Sequence, residues 1–507
     1  MKLLRQNENP MKFKRSAGIL LHPTSLPGKF GIGDLGPSAF KFIDFLKETG
    51  CKLWQVLPLG PTGFGDSPYQ NLSSFAGNPL LISPELLIQD GLLKNSDLHG
   101  SEVFSKEKVD FGLLIPWKFN ILEKAYNNFI KNRHNLGDEF EAFCKENRHW
   151  LDEYAIFMTL KELHGGGSWI NWSEYLKNAG SKDLQNETNI NKSITTRFKF
   201  FQYVFQRQWL TLKNYANRYG IKLIGDLPLY MAHDCADVWA NQELFRLDNN
   251  GLPEVVAGVP PDCFTPTGQL WGNPIYNWRN HGKQDYAWWI ARVKHQLKFV
   301  DILRLDHFRG FSGYWEVPAS EKTAERGQWV EGPGLELFDK LKLNITDDCT
   351  LPFIAEDLGL ITSDVIELRS QFGIPGMKIL QFAFSNPDNP FLPIHYTENY
   401  VVYTGTHDNE TSLGWFEIAS NHEKDYLKKY IGDEIRQIEW DLIRLAWASV
   451  AVFSIAPMQD ILSLDSSARM NVPGRQGGNW SWRMKEIPIE DEIIERLKDF
   501  NITYDRI

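Results

Sequence analysis

Acidic residues follow four short apolar runs of this 507-residue chain, and they are its clearest candidates for chemistry. Asp226 ends "IKLIGDLP", and Asp306 ends "FVDILRLDHF" with Arg304 and His307 close by. Glu356 and Asp357 end "LPFIAEDLG", and Asp408 follows His407 in "YVVYTGTHD". Acids often follow strands only to cap a helix or make a turn. Asp357 suits that ordinary role, because adjacent residues on extended backbone point to opposite faces and Glu356 and Asp357 cannot both face one cavity. Four instances, two with a neighbouring histidine, favour a catalytic rim. Carboxylates without paired cysteines or clustered histidines leave two chemistries open. One is a site for Mg²⁺ or Ca²⁺ with oxygen ligands. The other is glycoside chemistry, where one carboxylate attacks a sugar and another supplies a proton. Arg304 lies two residues before Asp306 and shares its strand face. A guanidinium there keeps Asp306 ionised, as a nucleophile requires, and repels a metal ion.

Eight runs can position these groups: residues 17–23, 52–58, 221–228, 299–308, 351–359, 376–384, 400–408 and 450–457. They are nearly continuous in hydrophobicity, as parallel strands covered on both faces must be. Helical patterns lie between most of them, at Pro37–Lys47, Asp285–Leu297, Ser363–Phe372 (with Ser363 as cap) and Glu434–Ser449. Eight strands alternating with helices predict an α/β fold, a (β/α)₈ TIM barrel whose chemistry sits at the C-terminal strand ends. A doubly wound open sheet is the alternative. The spacing predicts one catalytic domain over 1–507. It carries a mostly helical insertion over 60–220 after the second strand and a Gly/Pro-rich one over 247–284 after the third. Too little chain follows the eighth run for a C-terminal β-sandwich.

Gly31-Ile-Gly33-Asp-Leu-Gly36 has the form of a dinucleotide-binding turn. Such a turn needs its first glycine at the strand end and an acid closing the second strand. Here "PTSLPGKF" intervenes and "KLWQVLPLG" has no acid, so the glycines shape a loop. The net charge of −10 argues against affinity for nucleic acid or anionic lipid. Five scattered cysteines without a C-x-x-C pair suit a reducing compartment. With no signal-peptide core and no membrane-length apolar run, the expectation is a soluble cytoplasmic protein. Several of the 18 tryptophans lie in polar, Gly/Pro-rich stretches such as "GQLWGNPIYNW" and "GGNWSWR", where rings serve as platforms for a ligand such as a sugar.

From about Gly18 to Arg483 the chain resembles the 4-α-glucanotransferases of the amylomaltase, or disproportionating-enzyme, family (glycoside hydrolase family 77), relatives of the α-amylases. The matching stretches include "LHPTSLPGKFGIGDLG", "WQVLPLGPTGFGDSPYQNLSSFAGNP", "GDLPLYMAHDCADVWAN" and "GVPPDCFTPTGQLWGNPIYNW". Further on come "LRLDHFRGF", "IAEDLG", "GMKILQFAF", "YTGTHDN" and "ARMNVPG". The resemblance implies Asp306 as nucleophile, Glu356 as general acid and then base, and Asp408 as the carboxylate gripping sugar hydroxyls. It implies that Asp226, Arg304, His307 and His407 support them, that Ser67 and Tyr69 surround the reacting glucose, and that Gln269 and Trp271 belong to a lid on the acceptor side. A Cys263 in that lid departs from the family's bulkier residues. "PGRQGGNW" is more basic than the family's usual segment. The implied substrates are malto-oligosaccharides and α-1,4-glucans, with no metal and no cofactor. Retention requires the two reacting carboxyls about 5–5.5 Å apart, with Glu356 raised in pKa and Asp306 lowered. A plain α-glucan hydrolase and a non-catalytic glucan-binding protein are the alternatives.

Overall fold

In the computed structural model the eight apolar runs become eight parallel strands. The structure describes residues 13–132, 136–179, 184, 190–261, 265–345, 350–432, 434–475, 477–488 and 491–507, so Cys263 lies outside the described residues. In chain order the strands are β1 (Ser16–Leu20), β2 (Leu53–Gln55), β3 (Lys222–Leu227), β4 (Val255–Val259), β5 (Gln269–Pro274) and β6 (Ile302–Leu305). Then follow β7 (Gly313–Pro318), β8 (Gln328–Glu331), β9 (Phe353–Ala355), β10 (Gly376–Ile379), β11 (Tyr400–Tyr403) and β12 (Phe453–Pro457).

The parallel sheet runs β10-β11-β12-β1-β2-β3-β6-β9. Its two ends meet where Ala355 N donates to Pro375 O at 2.9 Å, which closes the barrel. Asp357 serves this seam: its Oδ1 accepts from Met377 N at 2.7 Å and its Oδ2 lies 3.5 Å from Arg369. At Gly18 a side chain would come within 2.3 Å of Leu53, so β1 and β2 approach as they do only because position 18 lacks a Cβ.

Helices cover the barrel. Pro37–Thr49 starts on proline and ends at Gly50, whose φ of 79° is left-handed. Ala287–Phe299 and Ile438–Ala448 follow the expected pattern with later starts, and Ser363–Gln371 starts where expected. Thr362 rather than Ser363 is the N-cap residue. Asp285 and Tyr286 are left-handed turn residues outside the helix. Between β2 and β3 run the helices Phe111–Lys131, Gly137–Glu146, Arg148–Leu163 and Lys192–Arg218. The last docks against the end of the helix Ala287–Phe299 through Trp209 Nε1, which donates to Phe299 O at 2.7 Å.

The Gly/Pro-rich segment after β3 carries more regular structure than its composition suggests. β4 and β5 pair antiparallel, β4 pairs with β7, and β7 pairs with β8. The resulting four-stranded sheet joins a segment after β3 to one after β6. "VVAGV" lacks alternation because its central residues are buried on both faces. In the loop after β1, a side chain at Gly33 would lie 2.0 Å from Pro23 O, so this glycine permits close packing.

After β12 the described residues form no further strand. The helix Asp491–Thr503 lies against Pro37–Thr49. Asn501 bridges Trp447 Nε1 and Thr49 O at 2.8 Å each, and Arg506 donates to Ser16 O, Trp447 O and Ala451 O. Among the described residues no helix is long and apolar enough to cross a membrane.

Candidate active site

β3, β6 and β9 are neighbours, so the residues ending them share one rim, and the register sets Asp226 beside Arg304. Arg304 is buried. Its Nη1 donates to Asp226 Oδ1 and Oδ2 at 2.8 and 2.7 Å and to Asp306 Oδ1 at 2.9 Å. Tyr69 OH donates to Asp226 Oδ2 at 2.8 Å. Burial pushes the Asp226 carboxyl up, with Arg304 opposing it. A divalent cation here would sit against a guanidinium that already binds both acids, so the arrangement disfavours the metal alternative.

Glu356 is held differently. Its Oε2 accepts from His307 N at 2.8 Å and its Oε1 from Leu358 N at 3.1 Å. Burial outweighs these amides and the opposing field of Arg304, and its pKa is pushed up to about 7. The His307 amide belongs to a turn in which His307 holds a φ of 52°, a left-handed conformation uncommon outside glycine. One tight turn thus serves both acids. Asp306 leaves the strand toward Arg304, and the next amide grips Glu356. The His307 ring meets Trp271 edge-on at 4.8 Å, and burial lowers its pKa to about 4, so it is neutral near pH 7.

Asp408 follows β11 and is half-exposed, its side chain 47% accessible. Asn471 Nδ2 donates to its Oδ1 at 2.6 Å, and His407 Nε2 lies 3.4 Å from its Oδ2. Arg469 clamps the same turn, donating to Asp408 O at 2.8 Å and to Glu410 Oε2 at 3.0 Å. His407 stacks on Tyr69 at 5.2 Å, with Trp480 6.0 Å away. Tyr69 therefore joins the two sides, through its hydroxyl to Asp226 and its ring to His407.

Ser67 acts on Tyr69, its Oγ accepting from Tyr69 N at 3.2 Å. Gln269 is exposed at the start of β5 and reaches this group through Trp271, whose Nε1 donates to its Oε1 at 3.1 Å. The sequence places Trp480 only among candidate platform rings and gives no role to Arg469 or Asn471. The stretch "ARMNVPG" holds both of the latter, but only their contacts reveal a role. Nor does the sequence mark Asp460, which is buried and takes the Thr404 hydroxyl at 2.5 Å and Ser412 N at 2.7 Å, anchoring both ends of the turn that carries His407 and Asp408. His22 is another such residue. It accepts from Leu57 N at 3.2 Å and is lowered to about 3, chiefly by burial.

Comparison with known proteins identifies the family. The family model described as 4-alpha-glucanotransferase, glycoside hydrolase family 77, matches residues 21–489. The 4-alpha-glucanotransferase of a Synechocystis strain is 47% identical over 498 residues, covering 97% of this chain and 98% of the relative. That of Thermus thermophilus is 46% identical over 498 residues, covering 96% and 98%. Among solved structures, an amylomaltase from Streptococcus agalactiae in complex with acarbose superposes with a TM-score of 0.94 at 40% identity, over 97% of this chain and 100% of that one. The chain belongs to glycoside hydrolase family 77, the 4-alpha-glucanotransferases.

Proposed function

We propose that the rim formed by Asp306, Glu356 and Asp408 moves an α-1,4-glucan segment from a donor chain to the 4-hydroxyl of an acceptor glucan or glucose by retaining double displacement. In the first step a carboxylate oxygen of Asp306 attacks the anomeric carbon. The bond to the leaving oxygen breaks, and Glu356 delivers its proton there. In the second step the acceptor 4-hydroxyl attacks the same carbon, its proton passes to Glu356, and the ester bond to Asp306 breaks. Asp408 holds hydroxyls of the reacting sugar. Arg304 and Asp226 orient Asp306, while Ser67, Tyr69 and His407 shape the wall around the reacting glucose. Trp271, with Gln269 and the neutral His307, favours an acceptor sugar over water.

The supporting observation is the state of Glu356, a carboxyl raised to about 7 by burial beside an Asp306 that is paired with a guanidinium. Two carboxyls with such divergent surroundings divide into acid and nucleophile. The acarbose held by the S. agalactiae amylomaltase favours malto-oligosaccharides and α-1,4-glucans as substrates. A reducing compartment such as the cytoplasm fits the free thiols of Cys51, Cys144 and Cys235.

Incubation with maltotriose tests this reading. Glucose and a ladder of longer maltodextrins are expected at constant total reducing ends. Asp306→Asn is expected to lose at least about 10⁴-fold in rate while keeping its fold. Rising reducing ends without longer chains would instead mean hydrolysis.

A further inference from the structure

A hollow that shares no residue with the catalytic cluster opens among three helices: Arg148–Leu163, Ala236–Ala240 just after β3, and Ala287–Phe299 before β6. Its floor is aromatic. Phe75 and Trp150 stack at 6.2 Å with planes 14° apart, and Trp288 meets Phe75 edge-on at 6.2 Å. Its walls are acidic. Glu153 lies on the face of Trp150, three residues further along the helix, and Asp237 faces the same space. Neither Lys nor Arg lines it.

The two carboxylates differ in what they are offered. Asp237 is buried and accepts from Ser74 N at 2.8 Å, with the Arg292 charge nearby. Among the described residues no hydrogen bond or ion pair reaches the Glu153 carboxylate. The surrounding charges leave a negative surplus. Asp152 is committed to Lys199 and Arg148, while Glu243 adds to the negative field. His149, at the mouth, is held below its ordinary value by burial and Lys298, and Lys298 pairs with Glu146 at 2.9 Å. Arg292 lies 5.4 Å from the Trp288 ring centre but donates to the Pro228 and Leu229 carbonyls.

A cation placed here gains from the carboxylates and from the ring faces together. A metal ion is a poor fit, because among the described residues no three His, Cys, Asp or Glu are grouped to hold one. The space opens to solvent and is roomier than a single ion needs, so it suits a larger guest. We infer that this hollow binds a small organic cation, an ammonium group whose carbon atoms pack on Trp288 and Trp150 while its charge faces Glu153 and Asp237. Burial and acidic neighbours push Glu153 up to about 7, so a bound cation draws off its proton, and binding strengthens as pH rises through that value.

Calorimetric titration of the full chain with tetramethylammonium chloride, at ionic strength matched with NaCl, tests the inference. Saturable binding is expected at about pH 8. It should weaken about tenfold in Glu153→Gln and in Trp288→Ala, and several-fold at about pH 6. It should persist under saturating maltotriose, with the Glu153→Gln disproportionation rate unchanged. Glu153→Gln alone decides the matter if Trp288→Ala does not fold. No saturable heat beyond the NaCl control would overturn the inference. So would binding indifferent to Glu153→Gln, or displacement of the cation by maltotriose.

Discussion

The two sides of the barrel mouth hold their carboxylates by different means. On the side of β3, β6 and β9, Asp226, Arg304, Asp306 and Glu356 come from adjacent strand ends. Their partners are buried charges and backbone amides at the ends of neighbouring strands. On the other side, Asp408 stands half-exposed on a turn that Arg469 and Asn471 clamp from about sixty residues further along the chain. The first arrangement is set when the barrel closes. The second also depends on how residues 469–480 lie. The acids proposed to make and break bonds are thus fixed by strands, and the one proposed to grip sugar hydroxyls is fixed by a loop contact.

Substitutions can separate the two sides. Glu356→Gln should have the largest effect of those that test the contrast, lowering kcat/KM for maltotriose by about 10²–10⁴-fold. The wild-type profile should fall above about pH 7 as Glu356 loses its proton, and the variant should lack that limb. The same change should stabilise the fold at alkaline pH. The folded value near 7 exceeds the ordinary 4.5, so ionisation favours the unfolded chain as pH rises through that window. Denaturant titrations should show Glu356→Gln gaining on the order of 3 kcal/mol over wild type at about pH 8 and almost nothing at pH 4.

Arg304→Lys is expected to come next, with a loss of about 10²-fold in kcat. One ammonium cannot reproduce the planar contacts to Asp226 and Asp306, and an acid left unpaired in a buried site is costly. Asn471→Ala should cost least, about tenfold in kcat/KM, with stability changed by less than about 1 kcal/mol because Asp408 stays solvated. A loss in Asn471→Ala as large as that in Arg304→Lys would erase the contrast between the two sides.

What could be read from the sequence follows the same divide. The eight barrel strands stand out because burial on both faces leaves continuous apolar runs, and the acids ending them mark the rim. Asp357 could be set apart from Glu356 by alternation alone, and it turns to the seam beside Met377 and Arg369. The sheet of β4, β5, β7 and β8 could not be read this way. Its strands are half-covered and find their partners across separate insertions, and "GYWEVP" has no local sign of pairing with "VVAGV". Asn471 and Arg469 were hidden for a related reason. A polar residue in a Gly/Pro-rich loop carries no periodicity, and its role exists only once the chain returns to the mouth. The left-handed turn at His307 has no marker either, since glycine would be the usual signal for such a φ.

The bonds from Arg506 back to Ser16 also bear on how the molecule comes into being. That contact spans 490 positions of sequence, and β1 pairs with β12 over a similar stretch. At about 5–20 residues per second a ribosome needs roughly 25–100 s to supply that much chain, far longer than a helix or hairpin takes to form. During that interval the first strand has β2 on one side and nothing on the other. The nascent polypeptide is therefore expected to remain open to proteases, and dependent on chaperones that shield an unpaired edge, until the codons for the last strand and the closing helix have been read.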